Sequence, residues 1–141
     1  MTDLLDQTLA TQLAQVADGT HTPEELLAAT HARLRHRDGS LRAVVAQVSD
    51  PAQSTTTKPE GPAIGIKDII DVAGLATLCG SHAHAQPQSA EEHPPQDAAC
   101  VARLRRAGFA PMAKLATYEY ALTGPAWDQP NLPARNPWNT D

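Results

Sequence analysis

Residues 61–74 read GPAIGIKDIIDVAG, a short apolar run that carries one lysine, Lys67, at its end. The apolar residues from Ile64 to Ile70 predict a strand that runs through this lysine. Desolvation penalises the charged form of an amine, so a lysine in an apolar site gives up its proton more easily and can act as a base. The stretch therefore predicts one strand of a sheet and one candidate residue for proton transfer.

The two acidic residues that follow Lys67 allow a plainer interpretation. Asp68 or Asp71 can pair with a strand-end lysine whose head reaches solvent. A carboxylate at the junction of a strand and a loop more often accepts hydrogen bonds from nearby backbone N–H groups. We therefore expect Asp68 to set the loop after Lys67. On the lysine alone, the interpretation as a strand-end residue that reaches solvent is favoured over the interpretation as a base.

Length, charge and cysteine usage narrow the classes of protein. The chain has 141 residues, the size of one domain, and a net charge of -5. The arginines within residues 103–106 fit the end of a helix better than a nucleic-acid patch. Cys79 and Cys100 show no C-x-x-C spacing, which favours a reduced compartment. Neither a secretory signal nor an apolar run of about 20 residues is found. We expect a cytoplasmic protein with no direct binding to nucleic acid or membrane.

Helical spacing and capping residues predict two helices at the start of the chain. Apolar residues three or four apart predict an amphipathic helix over residues 3–17. Thr22 is the predicted N-cap of the second helix, with Pro23 in the first turn and Glu25 completing a capping box. This helix is predicted to end at residues 38–39. The side chains expected to share its buried face are Leu27, His31 and Leu34.

Strand and loop patterns alternate in the middle of the chain. The valine-rich residues 41–48 predict a strand, and residues 49–60 predict a polar linker. Residues 81–96 predict a long polar loop with several prolines. Asp97 is the predicted N-cap of a third helix that ends at Gly108. The side chains expected on its buried face are Cys100, Val101 and Leu104.

The last third of the chain predicts one strand and one short helix. Residues 109–115 predict a strand in which Pro111 cannot donate to a ladder, so it needs an edge position or a bulge. Thr117 is predicted to cap a short helix over residues 117–122. The apolar residues of 124–141 show neither helical nor strand spacing. The order helix, helix, strand, strand, helix, strand predicts an α/β fold.

Three stretches, in matching order and spacing, resemble the amidase signature family. They are residues 61–74, residues 97–108 with the apolar strand and Lys114 that follow, and the segment from 117–121 to 133–138. The resemblance implies an α/β/α sandwich around a mixed central sheet. It identifies the chain as the N-terminal portion of a single amidase domain, residues 1–141, incomplete in this chain. Its expected parts are the leading helices and first strand (1–48), the linker (49–60) and the start of the core (61–141).

The resemblance also implies a reaction. Family members hydrolyse or transfer at carboxamide C–N bonds through a Ser–cis-Ser–Lys set, and Lys67 matches the lysine. A neutral lysine would take a proton from a serine on a cis peptide bond, which relays it from the nucleophilic serine. Lys114 is expected to be structural. No metal and no cofactor is implied, and the substrate would be a small-molecule amide. The residues that match a stretch lining the acyl side of the pocket are Ala121, Leu122, Thr123 and Gly124.

One departure from the family pattern concerns the serines. In the family both lie in a Gly/Ser-rich segment soon after the Asn-Pro-Trp motif, which is residues 136–138 here. Ser81 has neither a nearby base nor a nucleophile elbow. A lysine without a hydroxyl partner has nothing to deprotonate, so we expect residues 1–141 to be inactive alone. The serines of the chain, none of them in a Gly-Ser-Ser cluster, are Ser40, Ser49, Ser54, Ser81 and Ser89.

Other functions stay open on the sequence alone. The chain also fits part of the A-type subunit of a tRNA-dependent amidotransferase with partner subunits, a homodimer, or a truncated non-catalytic protein that regulates a full-length relative. His82 and His84 have a spacing that can bind a metal, with His93 nearby, but no cysteine or carboxylate cluster completes a tetrahedral set. The aromatic residues predicted to be packing residues rather than binding platforms are Tyr118, Tyr120, Trp127 and Trp138.

Overall fold

A three-stranded mixed sheet forms the centre of the protein. The computed structural model describes residues 3–48, 61–84, 96–122, 124 and 126–140. The strands are β1 (Val44–Gln47), β2 (Ala63–Lys67) and β3 (Ala110–Leu115). They lie in the order β1-β3-β2, and β3 pairs antiparallel with β1 and parallel with β2. The predicted α/β class with a mixed sheet is confirmed, whereas the predicted linker over 49–60 lies outside the described residues.

Helices cover both faces of this sheet. They are α1 (Leu9–Ala17), α2 (Pro23–Leu41) and α3 (Ala99–Arg106), with 3₁₀ turns at Leu4–Asp6 and Glu119–Ala121. Leu27 of α2 packs in one buried cluster with Ala110 and Met112 of β3. Val101 of α3 packs in a second cluster with Ile66 of β2. The two clusters make the α/β/α layering that the family resemblance implies.

The first predicted helix is wrong as a single element. Residues 3–17 form a 3₁₀ turn and then α1, because two separate side chains act as N-caps. The carboxylate of Asp3 accepts from the Leu5 N–H at 3.0 Å, and Thr8 Oγ1 accepts from the Thr11 N–H at 3.2 Å. Each local bond satisfies a donor at the start of its own segment, so two separate helical segments form in place of one.

The second helix is confirmed, including its capping box. Thr22 Oγ1 accepts from the Glu25 N–H at 3.1 Å, and the Thr22 N–H donates to Glu25 Oε2 at 3.0 Å. The helix continues to Leu41, past the predicted end. Asp38 explains the difference, since its Oδ1 accepts from the N–H groups of Ala43 and Val44 at 2.8 and 2.9 Å. A residue predicted to stop the helix instead joins its last turn to β1.

Strand β2 ends three residues earlier than predicted, and this places Lys67 at its carboxyl end. The chain turns there because the Ile70 N–H donates to the Lys67 carbonyl at 3.0 Å. The apolar residues Ile69 and Ile70 therefore belong to a turn, and β1 is likewise shorter than the predicted 41–48.

Strand β3 lies at the centre of the sheet, and it accommodates Pro111 through an irregular register. Ile64 pairs with Pro111, but the next residue of β2, Gly65, pairs with Ala113. The shift skips Met112 in the ladder with β2, so of the two predicted alternatives, an edge position or a bulge, the structure shows the bulge. The Met112 carbonyl instead accepts from the Val48 N–H at 3.0 Å, just after β1.

Helix α3 forms as predicted, but Asp97 does not cap it. Ala98 is the N-cap residue and makes no side-chain capping bond. The Asp97 carboxylate accepts instead from the Ala73 N–H at 2.9 Å and from Arg105 Nε at 2.7 Å. Asp97 thus ties the loop after β2 to the end of α3. Val101 is buried as predicted, whereas Cys100 is exposed. No helix of the described part of the chain is both long and apolar enough to span a bilayer.

Candidate functional site

Lys67 lies at the carboxyl edge of the sheet, where its side chain meets the segment that follows β3. β2 and β3 run parallel, so the residues after both strands gather at the same edge. Nζ of Lys67 lies 5.5 Å from the centroid of the Tyr118 ring, within the range of a cation–π contact. Lys67 and Tyr118 are both half-buried. Open α/β sheets bind ligands at this edge.

A small pocket of about 170 Å³ opens beside Lys67. Its walls are Lys67, residues 116–118, Gln129 and residues 131–134. The C-terminal segment therefore returns to cover the strand end that carries the lysine. A larger groove of about 520 Å³ lies between the first 3₁₀ turn and α2, and its walls do not include Lys67.

Lys114, in β3, has a different environment. Its side chain is 0% exposed, and Nζ lies 3.0 Å from Oδ1 of Asp68. The same ammonium donates to the Ala76 carbonyl at 3.1 Å and to Thr77 Oγ1 at 2.7 Å. An ammonium group has three N–H donors, and three acceptors surround it. The structural role predicted for Lys114 agrees with this geometry.

Asp68, the residue after Lys67, is buried and organises the loop that follows. Its carboxylate accepts from the Leu78 N–H at 3.3 and 3.4 Å, and its carbonyl accepts from the Cys79 N–H at 3.0 Å. Burial raises the pKa of this carboxyl above its ordinary value, and the ammonium of Lys114 opposes part of that effect. The predicted role of Asp68 in setting the loop is confirmed. Asp71 is exposed, and its carbonyl accepts from the Ala98 N–H.

The loop over residues 76–80 joins Asp68 to the segment that carries Tyr118. Cys79 adopts a left-handed conformation with φ 53°, and its carbonyl accepts from the Tyr120 N–H at 2.8 Å. Gly80, with φ 62°, lies so close to the backbone at Thr117 that an added Cβ would stand 2.6 Å from the Thr117 carbonyl oxygen. Burial, and then the nearby Asp68 carboxylate, raises the pKa of the Cys79 thiol.

The segment predicted as a helix over 117–122 contains only the 3₁₀ turn Glu119–Ala121, and Thr117 does not cap it. Thr117 is buried, and its hydroxyl donates to the Tyr118 carbonyl at 3.0 Å. Of the predicted substrate-binding residues, Ala121 is half-buried and Leu122 is 85% exposed. Gly124 is exposed, and Thr123 lies outside the described residues. Of these residues, the three that the structure describes, Ala121, Leu122 and Gly124, do not line the pocket beside Lys67.

The polar residues after Gly80 have partners in the segment that follows β3. Ser81 is buried, and its hydroxyl donates to Glu119 Oε1 at 2.7 Å. His82 Nε2 contacts the Asp128 carbonyl, and His84 Nε2 lies 2.7 Å from the Tyr120 hydroxyl. His93 lies outside the described residues. Across the part of the chain that the structure describes, no three His, Cys, Asp or Glu side chains cluster as a metal site.

The aromatic residues divide between the pocket and the surface. Tyr118 faces Lys67, but Tyr120 is 45% exposed, Trp127 78% and Trp138 94%. Trp127 and Trp138 are therefore not packed within the described structure, contrary to the prediction that they are packing residues. Sequence reasoning also missed Thr77 and Tyr118 as partners of the two lysines. The Gly80 turn and the parallel strand ends bring these partners together, and the local sequence pattern shows neither contact.

The chain matches a known family through most of its length. The profile of the family described as Amidase matches residues 39–141. The A subunit of the glutamyl-tRNA(Gln) amidotransferase of Oleidesulfovibrio alaskensis is 30% identical over 151 residues, which cover 99% of this chain and 30% of the relative. The protein of the same name from Roseiflexus sp. is 31% identical over 154 residues, covering 100% of this chain and 30% of the relative.

Solved structures have the same fold. The A subunit of the glutamyl-tRNA(Gln) amidotransferase from Thermotoga maritima superposes with a TM-score of 0.78 at 21% identity, covering 99% of this chain and 29% of that one. A 6-aminohexanoate cyclic dimer hydrolase complexed with substrate gives a TM-score of 0.76 at 25% identity, covering 99% of this chain and 29% of that one.

The chain spans about 30% of the length of the curated relatives it matches. The profile match includes β2, the Lys67 pocket and the buried Lys114, which are the features that the geometry brings together at the carboxyl edge of the sheet. This chain belongs to the Amidase family.

Proposed function

We propose that this chain supplies the lysine base, Lys67, of a Ser–cis-Ser–Lys amidase that hydrolyses carboxamide C–N bonds. The observation that carries the proposal is the position of Lys67. It ends β2 at the carboxyl edge of the sheet, half-buried beneath Tyr118 and open to a pocket. An amine in this position combines partial desolvation with access to a ligand, as a general base requires.

The proposed reaction assigns the proton to Nζ of Lys67. A serine hydroxyl on a cis peptide bond gives its proton to Nζ and takes one from the nucleophilic serine, whose oxygen attacks the amide carbonyl carbon. The C–N bond then breaks, and the leaving amine takes a proton returned along the same path. Water attacks the acyl ester, releases the acid and regenerates the serine. Both serines and the oxyanion donors would come from polypeptide other than residues 1–141.

Lys114 is a poorer candidate for this base. Its three N–H donors already meet three acceptors, and its side chain is 0% exposed. A proton transferred to or from this amine would disrupt a buried ion pair, which is strongly unfavourable. Lys67 faces a pocket instead, and its nitrogen is oriented by contact with an aromatic ring.

The test uses the natural gene product that carries residues 1–141, assayed for ammonia release from a panel of primary amides. Lys67→Ala is expected to lower the turnover number by about 10²–10⁴-fold, the usual contribution of a general base. Its free energy of unfolding should change by less than about 1 kcal/mol, because the side chain is only half-buried. Residues 1–141 expressed alone are expected to release no ammonia. Full turnover in folded Lys67→Ala would refute the proposal.

An amidotransferase role is a second candidate, favoured by the names of the curated relatives, which are A subunits of glutamyl-tRNA(Gln) amidotransferases. In that case the amide would be glutamine, and partner subunits would receive the ammonia. The discriminating measurement is ammonia release from glutamine with and without the partner subunits of the same organism. Stimulation by the partners favours the amidotransferase, and partner-independent hydrolysis of other amides favours the free-standing amidase.

A further inference from the structure

We propose that the buried Asp68–Lys114 pair is a positioning element that fixes Lys67 against Tyr118, an inference that rests on the proposed function of Lys67. Neither side chain of the pair reaches the pocket; Asp68 is 1% exposed and Lys114 0%. The pair acts through the backbone of Lys67 and through the loop over residues 76–80.

The first step of the connection is the end of β2. The Asp68 N–H donates to the Leu115 carbonyl at 3.0 Å, which extends the ladder with β3 one residue beyond Lys67. The Lys67 carbonyl accepts from the Ile70 N–H at 3.0 Å. With Asp68 held by Lys114, the Lys67 backbone is fixed on both sides, and only its side-chain torsions remain free.

The second step is the loop across residues 76–80. The Lys114 ammonium joins three points of the chain, since it binds the Asp68 carboxylate, the Ala76 carbonyl and the Thr77 hydroxyl at 2.7–3.1 Å. The Asp68 backbone carbonyl then accepts from the Cys79 N–H at 3.0 Å. The buried cation therefore holds the start of the loop, and Asp68, its ion-pair partner, holds the end of the loop through the backbone.

The third step reaches Tyr118. The Cys79 carbonyl accepts from the Tyr120 N–H at 2.8 Å. Gly80 packs against the same segment, where an added Cβ would stand 3.1 Å from the carbonyl carbon of Tyr118. The contacts close a ring from Lys67 through Asp68, Lys114 and the loop to Tyr118, whose aromatic side chain lies over the Lys67 nitrogen.

Charge compensation gives the pair a second effect on Lys67. Asp68 is the next residue in the chain, and a buried carboxylate attracts whichever cation can reach it. Lys114 takes this carboxylate as its partner at 3.0 Å. Lys67 is thereby left to face Tyr118 and the pocket, which is the orientation that a base for a serine hydroxyl needs.

The experiment compares two double variants of the natural gene product. Asp68→Asn with Lys114→Met removes the charges of the buried pair together, which avoids an uncompensated buried ion. The matched control, Asp97→Asn with Arg105→Met, removes another ion pair, one with an N–O distance of 2.7 Å that ties α3 to the loop after β2 and has no place in the pocket walls. Turnover is measured per titrated active site, so that unfolded protein is not counted.

The Asp68/Lys114 variant is expected to lower kcat by about 10²-fold with KM unchanged, the effect of misplacing a reacting group by about 1 Å. The Asp97/Arg105 variant should keep the kcat of the parent. Side-chain NMR of labelled lysine gives a second readout. The ring of Tyr118 should shift the Lys67 Hε signals upfield in the parent and the control, and this shift should be lost in the Asp68/Lys114 variant.

The outcomes separate the two proposals. If Lys67→Ala remains active, the proposed function fails. If Lys67→Ala is inactive while the Asp68/Lys114 variant keeps both kcat and the Lys67 ring-current shift, the positioning role fails and the base assignment stands. Should the double variant not fold, Thr77→Val decides, because it removes one acceptor of Lys114 at a milder cost. Thr77→Val should lower kcat, as the double variant does, and a parental kcat in Thr77→Val would also overturn the positioning role.

Discussion

Two lysines on neighbouring parallel strands occupy opposite environments. Lys114 pairs in register with Ile66, and the next residue of β2, Lys67, pairs with Leu115, so the two lie one step apart along the ladder. Lys114 belongs to the central strand and is 0% exposed, whereas Lys67 ends an outer strand and faces a pocket. Position along the strand and position within the sheet, rather than residue type, thus separate a structural cation from a candidate base.

The difference has an energetic meaning. A fully buried ammonium is tolerated only with excellent geometry, and Lys114 has a carboxylate, a carbonyl and a hydroxyl around it. A half-buried ammonium needs no such set, since water or a ligand can complete its hydrogen bonds. Lys67 therefore keeps the freedom to exchange partners, which a base must have and a buried ion pair lacks.

The largest expected effect on stability is that of Lys114→Met, and Lys67→Met is its matched comparison. Lys114→Met should lower the free energy of unfolding by about 3–5 kcal/mol, because it leaves Asp68 buried without its partner. Lys67→Met should change it by less than about 1 kcal/mol. Urea titrations followed by circular dichroism measure both values. Equal losses for the two variants would show that the lysines do not differ as the structure indicates.

A glycine substitution tests the loop that links the two lysines. Gly80→Ala should destabilise the protein by about 1–3 kcal/mol, because alanine is strained in a left-handed backbone and its Cβ would stand 2.6 Å from the Thr117 carbonyl oxygen. Gly74→Ala is the matched control, since Gly74 has φ 79° but open space around it. It should cost only about 1 kcal/mol, for the backbone alone. If thermal unfolding shows the same loss of stability for both variants, Gly80 does not pack against the Thr117 backbone as described.

The smallest expected effect is a pH dependence carried by Asp68. Burial raises the pKa of this carboxyl above the ordinary 3.8, so the folded protein binds its proton at a higher pH than the unfolded chain does. Its contribution to stability is greatest below 3.8 and declines as the pH rises through the raised folded value. The parent should therefore lose stability relative to Asp68→Asn across that window.

Carboxyl-carbon NMR provides the direct check on this titration. Asp68 should show a midpoint above 3.8, whereas Asp3 should titrate below 3.8, because its hydrogen bond from the Leu5 N–H and its contact with Arg33 lower the pKa. A midpoint for Asp68 below that of Asp3 would show that Lys114 outweighs burial and would reverse the predicted slope.

Local patterns predicted the elements whose partner atoms lie close in sequence. The capping box of Thr22 and Glu25 is confirmed because both partners sit within one helical turn. The strand through Lys67 and the bulge at Pro111 were also predictable, since periodicity and the missing proline donor act at the residue itself. The prediction that Asp97 caps α3 was incorrect because a carboxylate before a helix can accept from more than one donor. Its donors here, Ala73 and Arg105, lie outside the local capping pattern.

The sequence by itself determined the α/β order and, through three motifs in register, the family, because these depend on spacing along the chain; the family resemblance in turn made Lys67 the candidate base. Only the tertiary structure decided that Lys114 is buried with Asp68 and that Tyr118 lies over Lys67. The two further acceptors of Lys114 are 37 and 38 residues away in the chain. Contacts at such separations arise when parallel strands align their carboxyl ends, and a one-dimensional pattern does not specify which side chains then meet.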